Sequence, residues 1–420
     1  MRRISIVAFI LCACLVSVVR AQQPSGRSDF GRHAVRGHRG FSVVAKSSGM
    51  ASNPSINQRA AAHNVKVWDL GTYTGGTWAE AGGINDFGVL VAQGDTGPDG
   101  DNHLFTIRLS GPQGPQWSDL GTMGANEGWF LWPEIADTGM IVGYAATEDG
   151  YVHGLAWTKK SGRVDLGSLS DLGYNFSVAE RVNKLGTLIV GWSGSSSDNS
   201  DSSLPVVWTP TLQWKPDGLT AVWKIQALDT SGLAGFHHWM VTGANDFGQL
   251  SGIAWDNSDP ENDVGVIWNP LANGKGWKIM QLPVSADYPN AEIGSINELG
   301  EVVGDVDSSD WSTFSAAHWK PVDRQRKVYQ LTLLPNLPGS SNGGFAESIS
   351  ELGDIAGAAY DADWNMLAVR WSAKDPTLVR SLGFPGDWSL AVGVNNQGVA
   401  VGTYGGGQCA NECVAAVQFR

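Results

Sequence analysis

Seven glycines, Gly88, Gly139, Gly186, Gly248, Gly300, Gly353 and Gly398, punctuate this 420-residue chain at steps of 51, 47, 62, 52, 53 and 45 residues, and the side chains able to do chemistry keep register with them. Ten residues before each glycine stand Trp78, Trp129, Phe176, His238, Asn290, Gly343 and Trp388. Four of these seven are aromatic, which suits stacking on the C–H faces of sugars, so Trp78, Trp129, Phe176, His238 and Trp388 are the candidate ligand-binding residues. The alternative use of such rings is packing between neighbouring units. A second set is acidic: Glu80, Glu134, Glu180, Glu292 and Glu347 precede the same glycines, Glu80 matching Glu292 and Glu180 matching Glu347 in distance. Paired carboxylates at a set separation hydrolyse glycosides; without that separation they simply hydrate a polar channel. Asp95-Thr96-Gly97-Pro98-Asp99-Gly100-Asp101 offers closely spaced oxygens among glycines, as calcium requires, and makes Asp95, Asp99 and Asp101 candidate metal ligands. Gly97 stands where such a loop needs an Asp or Asn, and solvated acidic loops are the alternative. Cys409 and Cys413 form a close pair suited to a small disulfide in an oxidising compartment, while a metal site there lacks further nearby ligands. No phosphate-binding Gly-Lys-Ser/Thr loop and no Gly-x-Ser-x-Gly elbow occurs.

The elements that must position these residues follow from two recurring phrases. One is Trp68-Asp69-Leu70-Gly71, Ser118-Asp119-Leu120-Gly121 and Val164-Asp165-Leu166-Gly167, with echoes at Ala227-Leu228, Gln281-Leu282, Gln330-Leu331 and Ser381-Leu382-Gly383. The other ends on the seven glycines, as in Ile84-Asn85-Asp86-Phe87-Gly88: an apolar residue, a small polar one, two variable positions, then Gly. Asn or Asp near Gly supplies the positive φ of a tight hairpin, so each phrase is expected to join two strands. A short apolar strand ending in Gly follows, such as Met140-Ile141-Val142-Gly143. A third strand then closes on Trp157, Trp208, Trp268, Trp319, Trp371 or Phe419, with Ile107 the exception. Four short strands per roughly 50 residues, without a convincing helix, are the signature of propeller blades. The fold class is therefore all-β, a seven-bladed β-propeller of four-stranded antiparallel blades. Residues 67–70 form an outer-type strand and the chain finishes on a third strand, so the N-terminal strand is expected to complete the last blade and close the ring. An open β-solenoid would not need complementary ends.

The unit, Asp-Leu-Gly, then the Ile-Asn-x-x-Gly turn, then Val-Val-Gly, then a third strand beginning with His and closing on Trp, resembles the extracellular repeats of the HAF family. The resemblance covers 67–420, and the namesake His persists in His103-Leu104-Phe105 and His153-Gly154-Leu155, although the full His-Ala-Phe triplet is never intact. It implies bacterial export and a β-repeat fold, and it assigns no reaction.

Charge separates the chain into two parts. Residues 1–65 carry nine Lys or Arg against Asp29, which leaves 19 basic and 40 acidic residues in 66–420, a net charge of −21. So acidic a body disfavours nucleic acid as a partner. Arg2 and Arg3 precede an apolar run over 4–19 that ends at Val19-Arg20-Ala21, the pattern of a secretory signal peptide, with the run shorter than a membrane-spanning helix needs. The expected organisation is a signal peptide over 1–21, a flexible basic linker over 22–65 and the propeller over 66–420, secreted or periplasmic and without a stable membrane anchor. The expected function is non-catalytic binding of an extracellular glycan or protein ligand. A glycosidase or lyase using the channel carboxylates, and a calcium-stabilised structural surface protein, are the alternatives.

Overall fold

The computed structural model describes residues 65–420 apart from 98–99, 111–113, 124–130, 149, 196–201, 216–217, 257–261, 324–326 and 408. The signal-peptide and linker assignments fall outside the described residues. Twenty-eight strands and one short 3-10 turn, Ser170–Leu172, are present among them. The strands form seven antiparallel four-stranded sheets. Six sheets take their strands in consecutive order; the seventh combines the last three strands with the first, Lys66–Gly71. That first strand pairs with Cys409–Gln418, with Trp68 opposite Ala416, and closes the ring as the chain ends required. The protein is a seven-bladed β-propeller.

The innermost strands are Ala79–Ile84, Leu131–Ile135, Phe176–Val182, His238–Ala244, Asn290–Ile296, Gly344–Ile349 and Trp388–Val394. They belong to blades 1 to 7 in that order and line the central channel. Each is joined to its second strand by the repeated turn. The seven glycines take φ between +66° and +80°, where an L side chain would be strained. The Asn of the phrase has another task from the one its type suggested. Asn85 Oδ1 accepts the N–H groups of Phe87 and Val89 at 3.1 and 3.0 Å, while its Nδ2 donates to Ala136 O in the next blade at 3.2 Å. Asn245, Asn297 and Asn395 repeat the arrangement, each amide donating to the next blade's turn at 3.0–3.1 Å. One side chain therefore shapes its own turn and fastens the neighbouring blade, with both its amide oxygen and its amide nitrogen in use.

The third-strand tryptophans tie blades together farther from the axis. Trp208, Trp268, Trp319 and Trp371 are almost fully buried. Their indole N–H groups donate to Leu166 O, Asp229 O, Pro283 O and Pro335 O at 2.8–3.0 Å, always in the segment arriving from the preceding blade. A large apolar area is thus buried and its one polar atom satisfied. The Asp-Leu-Gly phrase sits beside them. In blades 1 and 2 its Asp119 and Asp165 lie 2.8 and 3.0 Å from His103 Nδ1 and His153 Nδ1, so the two sequence phrases are one contact. The echo assigned at Gln330-Leu331 is three residues out of register. Leu331 pairs with Trp319 inside the strand. Leu334 is the equivalent, its N–H donating to Ala316 O as that of Leu282 does to Gly265 O. The 62-residue step comes from blade 3, whose outer hairpin, Ser203–Lys215 and Gly218–Ala227, is the longest in the molecule among the described residues.

Candidate functional site

Strand directions give the disc two unlike faces. The inner turns and the hairpins between third and fourth strands share one, here the turn face; the loops after second strands and the connections between blades share the other, the loop face.

On the turn face the first of the two positions that looked variable forms a ring. Asp86, Asp137, Lys184, Asp246, Glu298, Glu351 and Asn396 occupy the same place in blades 1 to 7, and each blade's turn is held by the next. The Asp86 N–H donates to Asp137 Oδ1 at 2.8 Å, and that of Asp137 to Lys184 O at 3.1 Å. The N–H of Leu185 donates to Asp246 Oδ1 at 3.0 Å, and that of Asp246 to both oxygens of Glu298 at 2.9 and 3.0 Å. Glu298 donates to Glu351 at 2.7 Å and Glu351 to Asn396 at 2.9 Å. The Asn396 N–H returns to Asp86 Oδ1 at 2.9 Å, joining residues 310 positions apart.

Five carboxylates therefore crowd the channel mouth around one ammonium. Lys184 Nζ lies 2.8 Å from Asp86 and 3.2 Å from Glu351, bridging blades 1, 3 and 6. Burial opposes its charge, but these two partners outweigh burial and raise its pKa. Burial likewise works to raise the Asp86 carboxyl, and the bonds from Lys184 and Asn396 hold it below its ordinary value instead. Asp137 and Glu351 are raised by burial. Glu298, half-buried between Asp246 and Glu351, is pushed up to about 7 by that desolvation and by the two neighbouring carboxylates, so it changes charge near neutral pH.

Deeper in the channel, every inner strand carries an irregularity in its pairing with the second strand, as at Ala179/Arg181 and Ala346/Ser348. Such bulges re-aim side chains. Glu347 stands at one and lines the mouth together with Glu134 and Arg181. Glu134 lies 3.4 Å from Arg181 Nε, and burial raises its pKa. Two of the other glutamates expected in the channel are held by neighbours: Gln93 donates to Glu80 at 2.7 Å and the Trp192 indole to Glu180 at 3.3 Å; Glu292 is buried.

The proposed rim lies on the loop face and divides into two kinds. Phe176 is buried and meets Trp192 edge-on at 6.0 Å. His238 is buried and stacks on Trp255 at 5.3 Å, so both rings are consumed in packing rather than offered to solvent. Trp78 and Trp388 are half-buried and occupy blades 1 and 7, which the closure makes neighbours. The Trp388 indole lies over the backbone of Gly405, where a Cβ would collide with it. Trp129 lies outside the described residues.

The expected calcium loop is differently employed. Asp95 is buried and accepts the Thr77 N–H and hydroxyl at 2.5 Å each and the Trp78 N–H at 3.2 Å, which sets the start of the first inner strand. Its oxygens face protein donors, whereas a calcium ligand must face the ion. Asp101 is exposed, and Asp99 lies outside the described residues. Among the described residues no group of three His, Cys, Asp or Glu side chains is placed to hold a metal ion. Cys409 and Cys413 are joined in a disulfide at the start of the last strand, buried with Tyr404, Leu382 and Phe384. No described helix is long and apolar enough to cross a membrane.

No family model and no curated protein sequence matches the chain. Among solved structures it is similar to Trypanosoma rangeli sialidase at 11% identity and a TM-score of 0.37, covering 83% of this chain and 55% of that one. It is also similar to Pyrococcus horikoshii acylaminoacyl peptidase at 10% identity and a TM-score of 0.44, covering 80% and 50%. A third is AofleA from Arthrobotrys oligospora, at 11% identity and a TM-score of 0.38, covering 76% and 90%. The chain spans about half the length of the sialidase and peptidase structures.

Proposed function

We propose that this chain is an exported, non-catalytic binding propeller of the HAF-repeat kind, which takes an extracellular glycan on its loop face at Trp78 and Trp388. The observation that carries the reading is the contrast within one equivalent position: Phe176 and His238 are buried, whereas Trp78 and Trp388 keep exposed ring surface in adjacent blades. Two indoles in adjacent blades suit separate sugar rings of one chain, each contact contributing on the order of 0.5 to 1.5 kcal/mol beyond area burial in aromatic pairs. Export is supported by the charged and apolar start of the sequence and by the Cys409–Cys413 disulfide, which persists in oxidising compartments. Binding is favoured over hydrolysis because the bonds that Glu80 and Glu180 accept from Gln93 and Trp192 hold each carboxylate against the second strand of its own blade.

The test is a glycan array probed with the protein after export, followed by analysis of the bound sugars for cleavage. Retention of an intact glycan supports the reading. Cleaved product would move the function to the channel, where Glu134 and Arg181 meet, and a blank array would remove the glycan.

A further inference from the structure

The tips of the inner turns carry large apolar side chains pointing to solvent. Phe87, Leu185, Phe247, Leu299 and Leu352 stand immediately before the turn glycines of blades 1, 3, 4, 5 and 6, with exposures from 42% at Leu352 to 67% at Phe87. Thr138 and Gln397 hold the position in blades 2 and 7. The turn itself is made by the glycine and by the Asn or Ser that precedes these residues by two positions, so their exposed apolar surface is not what shapes it. They form a crown around the mouth where five carboxylates face one lysine. Apolar residues grouped at one place on a surface mark a contact, and the acidic centre selects an occupant that is both basic and apolar.

Such an occupant is attached to the same face. Lys66 pairs with Gln418 at the turn-face end of blade 7, so the chain preceding it arrives there. Residues 22–64 carry Arg27, Arg32, Arg36, Arg39, Lys46 and Arg59 against Asp29, while 66–420 carry a net −21. Between Arg36 and Lys46 they also hold Phe41, Val43 and Val44. A segment of this length spans up to roughly 140 Å when extended, far beyond the few strand widths, each about 4.8 Å, between the outer strand of a blade and the axis. Tethering also replaces a bimolecular association by an intramolecular one at an effective concentration on the order of millimolar.

We infer that the basic segment 22–64 docks on the turn face of its own propeller, its arginines at the ring of Asp86, Asp137, Asp246, Glu298 and Glu351 and its apolar residues on the crown. The segment thereby covers a face that a basic, apolar partner would otherwise reach. This inference is independent of glycan binding on the opposite face.

The experiment is hydroxyl-radical footprinting of the whole chain after export, read at Phe87, Phe247 and Leu299. It compares the wild type with the triple variant Arg32→Ser, Arg36→Ser, Arg39→Ser at 50 and 500 mM NaCl. These substitutions lie outside the propeller, and unchanged melting confirms that the disc is intact. Labelling of the three crown residues is expected to rise at least threefold in the variant at low salt, and to rise in the wild type at high salt. Equal labelling in both proteins at both salts would overturn the proposal. Protection that survives in the variant and grows with protein concentration would overturn it in favour of a second copy of the chain.

Discussion

On the turn face, one residue position in seven blades holds five acids, a lysine and an asparagine, and the seven turns share one relay of hydrogen bonds, backbone to side chain in every link but that from Asp137 to the Lys184 carbonyl, that closes between Asn396 and Asp86. On the loop face, the equivalent position is Trp78, Phe176, His238, Asn290, Gly343 and Trp388 among the described residues, and each makes its own local arrangement. The difference lies in what the positions must satisfy. Turn-face residues meet their counterparts in neighbouring blades, so a change in one alters the partner of the next. Loop-face residues meet strands of their own or one adjacent blade, so they vary independently, as Phe176 against Trp192 and Trp388 over Gly405 illustrate. Mutual constraint gives the turn face its regularity; independence makes the loop face the place where specificity can differ between blades.

The largest expected effect removes the closure on which both faces depend. Deleting 66–72 strips blade 7 of its outer strand and exposes the edge of Cys409–Gln418, and cooperative melting should be lost, whereas deleting 22–60 should leave the melting temperature within about 2 °C. Calorimetry of the two truncations checks this, and equal stability would exclude the closed ring. The next separates the loop-face positions from one another. Phe176→Ala should cost about 3–5 kcal/mol in denaturant unfolding, as for a buried aromatic, while Trp78→Ala should stay below about 1 kcal/mol.

Two smaller effects belong to the turn face. Lys184→Met leaves Asp86 and Glu351 without their shared cation and should cost about 1 kcal/mol at neutral pH, discounted for the partial exposure of all three groups. Because the Asp86 pKa is depressed by folding, its contribution is present above the ordinary carboxylate pKa and lost as pH falls through the lower folded value. The cost of the substitution should shrink in strong acid accordingly. Glu298 has the opposite sign. Its pKa is raised from 4.5 to about 7, so the folded state holds the proton more tightly and stability declines as pH rises across that interval. Glu298→Gln should therefore melt about 2 °C above the wild type at pH 8 and level with it below pH 4.5; a gap that does not change with pH would show that the ring does not control this proton.

Much of this architecture was legible in the sequence. The spacing of the turn glycines, the four-strand period and the complementary ends led to a closed seven-bladed ring because those features are local and repeat. The outer phrase misplaced at Leu331 shows the limit: in blade 5 the Asp-Leu-Gly signature has decayed to Leu-Leu-Pro, and only the bond from Leu334 to Ala316 identifies the equivalent. The ring was hidden for a different reason. Asp86, Asp137, Lys184, Asp246, Glu298, Glu351 and Asn396 share a position without sharing a residue type, and their partners lie about 50 or as many as 310 residues away. The signal available was their uniform polarity next to Phe87, Leu185, Phe247, Leu299 and Leu352. Aromatic type at the rim, conversely, does not tell an exposed ring from a packed one, because Phe176 and Trp78 differ in the neighbours supplied by other strands.

The central functional claim rests on two side chains, and one titration addresses it directly. A glycan retained intact by the exported protein is titrated calorimetrically into the wild type, Gly405→Ala, which displaces the Trp388 indole, and the double variant Trp78→Ala, Trp388→Ala, with melting followed in parallel. Affinity should fall about tenfold in Gly405→Ala and be lost in the double variant, at melting temperatures within a few degrees of the wild type. Undiminished affinity in the double variant would contradict the claim.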